Sequence, residues 1–175
     1  MLSNYDATAI AAVMGLGFRR IAAPAAAGDF SILVDGATVH VVEATTPGGD
    51  APSFAHIEKA VEHGLPRQAL RHLAEDLAGG DKALATQLQW GVVPKTTLDR
   101  RATQLSPQES ERTERVARLF VHASRALGTT AEAREFMTAP HPELDNRSPI
   151  EAARTDLGTR RVERLLTALE YGLAL

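Results

Sequence analysis

Beyond Ser53 apolar residues recur every three or four positions, whereas an alternation of two appears only between Phe30 and Val41. The first pattern predicts helices and the second a pair of strands. Near the start, Ile10, Val13 and Met14 fit a short helix that Gly15 stops. The two strand candidates flank Asp35-Gly36, a dipeptide favoured in two-residue type I′ hairpins because both central residues need positive φ. Pairing Val34 with Ala37 places Phe30, Ile32, Val34, Ala37, Val39 and Val41 on one face, with Ser31, Thr38 and His40 on the other. Such a hairpin is marginal alone, so a helical cover or a second copy is expected over the apolar face. Residues 45–52, rich in threonine, glycine and proline, read as a linker.

In the helical part, Phe54, Ile57, Ala60 and Val61 share a face that ends at Gly64. Pro66 opens the next helix, with Ala69, Leu70, Leu73 and Leu77 inward and Gly79-Gly80 closing it. Two short helices follow, one from about Lys82 to Gln89 and one from near Pro94 to around Ala102. Ser106-Pro107-Gln108-Glu109 is a strong start signal: serine caps, proline takes the first helical position, and glutamate bonds back to the capping amide. A long helix therefore begins there, with Val116, Leu119, Phe120, Ala123 and Leu127 inward and Gly128 at its end. Ser148-Pro149-Ile150-Glu151 repeats the capping logic. The last helix, roughly Thr159 to Tyr171, is predicted to bury Val162, Leu165, Leu166 and Leu169 before Gly172 stops it.

Composition narrows the chemistry. The 175 residues are 44% hydrophobic and 23% charged, enough for a real core. Cysteine is absent, which removes disulfides, thiolate nucleophiles and cysteine-ligated zinc. No apolar run reaches the roughly 20 residues that span a bilayer, and residues 1–6 lack a signal's basic region, so a cytoplasmic protein without membrane contact is expected. A net charge of −3 excludes a polycation that coats nucleic acid, so any DNA contact is local. None of the six histidines forms an i, i+4 pair, and His56 and His63 read as solvated. No Gly-x-Ser-x-Gly elbow occurs, while Gly15-Leu16-Gly17 and Gly79-Gly80-Asp81-Lys82 lack nucleotide-loop spacing and read as turns. We therefore expect no catalytic residue, metal or cofactor, and a protein that works by binding.

The stretch from Lys82 to Arg101 has the outline of a helix-turn-helix: a short helix, a turn containing Gly91, then Pro94 to Arg101. Its second helix offers Lys95, Thr96, Thr97, Arg100 and Arg101 to phosphates and base edges. Solvated charges at a helix end are the alternative for Arg100 and Arg101.

Thr97 to Arg101, followed by Leu105-Ser-Pro-Gln-Glu-Ser-Glu-Arg112, resembles the recognition helix and following junction of the Xre/MbcA/ParS toxin-binding antitoxin family. Pro142 to Glu151, then Gly158-Thr-Arg-Arg-Val-Glu-Arg-Leu-Leu166 and Glu170-Tyr-Gly172, resembles that family's toxin-binding domain in order and spacing. The likeness begins near Ile57 and includes Gly64-Leu65-Pro66. It implies, within a mainly α helical bundle, residues 53–127 as the helix-turn-helix DNA-binding region and residues 128–175 as a C-terminal helical toxin-binding domain; residues 1–52, with the N-terminal helix, the small β-hairpin and the linker, fall outside the likeness. It further implies an antitoxin of a type II system that neutralises a RES-domain, NAD-consuming or ADP-ribosylating toxin and represses its own operon. Carried onto this chain, Arg160, Arg161 and Arg164 would dock on the toxin. Tyr171, Gly172, Leu173, Ala174 and Leu175 would plug its cleft, while Arg147 and the Ser148 cap would be structural. A DNA-binding regulator without a toxin partner is the alternative, and an enzyme with an unfamiliar site a third. Helix-turn-helix proteins often read paired half-sites, so a homodimer on operator DNA is expected, through the hairpin face or the long helix from Pro107.

Overall fold

The structure, a computed structural model, describes residues 5–22, 30–35, 38–43 and 51–172. Three serines set the phase of the helical part. Ser53, Ser106 and Ser148 each accept the amide three residues on through the hydroxyl, and the side chains of His56, Glu109 and Glu151 bond back to the cap amides. The elements in chain order are α1 (Ala7–Val13), β1 (Gly17–Ala22), β2 (Phe30–Asp35), β3 (Thr38–Glu43), α2 (Phe54–His63), α3 (Arg67–Ala78) and α4 (Lys82–Val92). There follow α5 (Lys95–Leu98), α6 (Pro107–Leu127), α7 (Thr130–Thr138), a 3-10 turn at Pro142–Leu144, α8 (Pro149–Ala152) and α9 (Asp156–Glu170).

The architecture is mainly α, and α6 is its axle. It touches α1, α2, α3, α4, α7 and α9. Its inward stripe of Val116, Leu119, Phe120 and Ala123 is buried within one continuous core that runs from Ala7 to Leu166. Complete burial of side chains of this size is worth about 1.5–3 kcal/mol each, so this stripe outweighs any surface contact.

The N-terminal strands depart from expectation in two ways. β1 was not foreseen; it pairs parallel to β3, giving the order β1-β3-β2. Parallel partners lie far apart in sequence and leave no local turn signal. The β2-β3 hairpin is present, but Val34 faces Val39 and Asp35 faces Thr38, two places from the register expected from an Asp35-Gly36 turn. Residues 36–37 of that connection lie outside the described residues, as do residues 45–50 of the expected linker. A slide of two leaves the inside-outside alternation unchanged, so burial cannot tell the two registers apart. Val39 and Val41 are indeed buried, with Thr38 and His40 half-exposed.

Elsewhere, α7 is a helix that periodicity alone does not announce: Thr129 caps it, and Ala133, Phe136 and Met137 are buried. Helix α4 continues through Gly91 to Val92, so the turn is Val93-Pro94. Leu169 stands 39% exposed rather than buried, because the core contacts of α9 end at Leu166. His56 is buried instead of solvated; its Nδ1 accepts the Ser53 amide at 3.2 Å and its ring stacks on Phe18.

Candidate nucleic-acid and partner interfaces

The α4-turn-α5 unit is built from its caps. Asp81 Oδ1 accepts the amides of Ala83 at 2.8 Å and Leu84 at 3.0 Å, which starts α4. Buried Val93 and Leu98 anchor the turn and α5 in the core. That leaves Lys95, Thr96 and Arg100 exposed and Thr97 half-exposed; α5 stops at Leu98 rather than near Ala102, so Arg100 stands in the turn that follows it. The Lys95 ammonium lies 5.2 Å from the centre of the Trp90 ring, itself 42% exposed. A cation so placed is held over the ring face rather than left to sweep through solvent.

Arg101 behaves differently from its neighbours. Its Nε and Nη2 each donate to the Glu109 carboxylate at 3.0 Å, and Arg67 Nη1 donates to its carbonyl at 3.1 Å. Burial pushes the Glu109 carboxyl up, but hydrogen bonds from Arg101 and the Ser106 amide outweigh it and hold the group below the usual carboxylate range. The same fork raises the Arg101 guanidinium. Glu109 thus serves both as the back-bonding half of the α6 cap and as the anchor for the chain leaving α5. Arg101 is a bracket that fixes where Lys95 to Arg100 point.

The second surface is α9. Thr155 caps it, and Val162, Leu165 and Leu166 face inward. On the outer side Leu157 (74% exposed), Arg160, Arg164, Thr167 and Tyr171 (65% exposed) make a stripe at helical spacing. Arg161 lies off that stripe. Its Nη1 donates to Asp145 Oδ2 at 2.6 Å and its Nη2 to the Glu143 carbonyl at 2.7 Å, and Arg147 also reaches Asp145. The Arg161 hydrogen bond holds Asp145 below its ordinary value. Asp145 and Asn146 both take left-handed backbone (φ 59° and 56°), which these residue types tolerate better than most. Arg161 therefore locks the loop between the 3-10 turn and α8.

Three further clamps were missed from sequence. Arg118 of α6 bonds Glu163, Arg125 donates to Glu170 at 2.8 Å, and Arg154 Nε donates to the Gly91 carbonyl at 3.2 Å. Each joins residues more than 40 apart, beyond what any local spacing signals. Arg154 ties the end of α8 to the end of α4, so the two surfaces share a scaffold.

Residues 56–118 match the antitoxin Xre-like helix-turn-helix domain, and residues 122–172 match the antitoxin Xre/MbcA/ParS C-terminal toxin-binding domain. The chain belongs to the Xre/MbcA/ParS antitoxin family. No curated protein matches it. In this antitoxin the first match spans α2 through the first half of α6 and so contains α4 and α5, while the second runs from the end of α6 through α9. Both are domains of a regulatory binding protein. Among the described residues no helix is long and apolar enough to cross a membrane, and no cluster of three or more acidic or histidine side chains is arranged to hold a metal. Leu173, Ala174 and Leu175 of the expected plug lie outside the described residues; Gly172, just before them, has φ +62°.

Proposed function

We propose that this antitoxin binds and neutralises a RES-domain toxin that consumes NAD or transfers ADP-ribose from it, and represses its own operon through α5. The observation that carries the reading is the α9 stripe. Leu157, Arg160, Arg164 and Tyr171 are presented outward, with their helix held in place by Arg118 and Arg125. Arginines and an aromatic on a rigid helix suit an acidic, partly apolar partner surface. Leu173, Ala174 and Leu175, which come after that helix in the sequence, act as the plug of the partner's nucleotide cleft. Lys95, Thr96, Thr97 and Arg100 contact DNA, and Arg101 positions them. Arg161 contributes by holding the Asp145 loop rather than by direct contact.

The test is an NAD-consumption assay on a RES-domain protein encoded beside this chain, with the full antitoxin and with a variant lacking residues 173–175. Full inhibition by the antitoxin and weakened inhibition by the truncation, with operator binding unchanged, is the expected result. Undiminished inhibition by the truncated chain removes the plug; no inhibition by either chain removes the toxin reading.

A further inference from the structure

A small recess opens where the ends of α4 and α8 meet the first half of α6. Val92, Val116, Ile150 and Ala153 give it a buried apolar floor, and Arg112 and Arg154 line it as exposed cations. Among the described residues no carboxylate lines it. The carboxylates nearest to the two arginines in sequence are engaged elsewhere: Glu111 by Arg115 at 2.5 Å, Asp156 by Arg160 at 3.1 Å, and Glu151 by the Ser148 amide at 2.9 Å. Arg112 has no hydrogen bond or ion pair among the described residues. Arg154 has one bond, from Nε to the Gly91 carbonyl at 3.2 Å, which fixes its guanidinium against the end of α4 and leaves both Nη groups to donate elsewhere. Only Val93 and Pro94 separate α4 from α5, so these two uncancelled charges stand beside the start of the element that carries Lys95.

We infer that Arg112 and Arg154 hold DNA backbone phosphates that flank α5, so that the DNA-contacting surface extends into the toxin-binding domain. The inference rests on α5 being the element that enters the DNA. A helix seated in a groove lies between two phosphate backbones, and contacts to those backbones fix its register. Guanidinium is the group suited to them, because its planar fork meets two phosphate oxygens at once. In a chain of net charge −3 the attraction for DNA has to come from cations that no neighbour cancels. On α5 and the turn after it only Lys95 and Arg100 are of that kind, since Arg101 is spent on Glu109. The recess supplies two more. Arg112 falls within the match to the helix-turn-helix domain and Arg154 within the match to the toxin-binding domain, so the site exists only when the two are packed together.

The experiment uses the full antitoxin without toxin and a duplex of the DNA immediately upstream of its own coding sequence. Affinity is measured over a salt series for the parent, Arg112→Gln, Arg154→Gln, Arg154→Lys and, as the control for α5, Lys95→Ala. Arg112→Gln and Arg154→Gln are each expected to lower the slope of log affinity against log salt by about 1, as the loss of one phosphate contact does. Arg154→Lys keeps the charge without the bond to Gly91 and is expected to keep the parent's slope. If Arg154 only braces α4, both of its variants bind more weakly with the slope unchanged, which overturns its part. Arg112 has no bond to lose, so its variant reports the phosphate contact alone, and an unchanged slope there overturns the site. Circular dichroism shows whether each variant folds; both positions are exposed. A slope lowered by Lys95→Ala but by neither glutamine variant removes the recess and leaves α5 standing, and the reverse pattern removes α5 and keeps the recess. A parent that binds no duplex even at low salt overturns both.

Discussion

At Gly158 a methyl group has nowhere to go, since a Cβ built there lies 1.9 Å from the Ala152 carbonyl oxygen, where the end of α8 meets the first turn of α9. At Gly91 the same methyl meets nothing within 4 Å and the backbone is helical. Gly158→Ala is therefore expected to lower stability by about 3 kcal/mol or more through backbone displacement. Gly91→Ala is expected to be neutral or to stabilise by about 0.5–1 kcal/mol. Chemical denaturation of both variants checks the contrast. Glu109 gives the second residue-scale prediction. Its folded pKa is depressed, so its pairing with Arg101 contributes stability above the unfolded value of about 4.3 and loses it as pH falls through the lower folded value. Glu109→Gln should therefore be less stable than the parent near neutrality, with the gap narrowing between about pH 5 and pH 3. A gap that stays constant down the acid series contradicts the pair.

Among the elements, the capped helices and the loop before α8 can be tested separately. Ser148→Ala removes the hydroxyl that accepts the Glu151 amide and is expected to cost about 1 kcal/mol. Arg161→Ala frees the Asp145 loop, where two consecutive residues hold left-handed backbone against their intrinsic preference. Faster amide exchange confined to the segment between the 3-10 turn and α8, with α9 still protected, is the expected signature. Equal loss of protection along α9 would show that Arg161 supports the helix rather than the loop. The capping boxes at Ser106 and Ser148 were legible because they use side chains three residues apart. Helix α7 was not, because its three buried side chains gain meaning only once α6 turns back beside them.

For the whole molecule, the proposed DNA and partner contacts are carried by different elements, α5 with the turn after it and α9, and are expected to separate. Lys95→Ala and Arg100→Ala should each weaken operator binding across sequences and reduce the salt slope of affinity by about 1, while leaving toxin inhibition intact. Arg160→Ala/Arg164→Ala should do the reverse. Electrophoretic mobility shifts over a salt series, run beside the NAD assay, check both directions; a variant that loses both functions together contradicts the division. Helical periodicity, serine caps and stop glycines were enough to place α2, α3, α6 and α9 and to expose the family likeness, because those signals act within one or two turns of chain. They could not distinguish Arg101 and Arg161, which brace the scaffold, from Arg100, Arg160 and Arg164, which face outward. An arginine's role depends on which carboxylate folding brings within about 3 Å, and here Glu109 and Asp145 arrive from other elements. The same holds for β1, His56 and the recess at Arg112 and Arg154: each is made by a distant segment, and the spacing of residues along a chain carries no record of that neighbour.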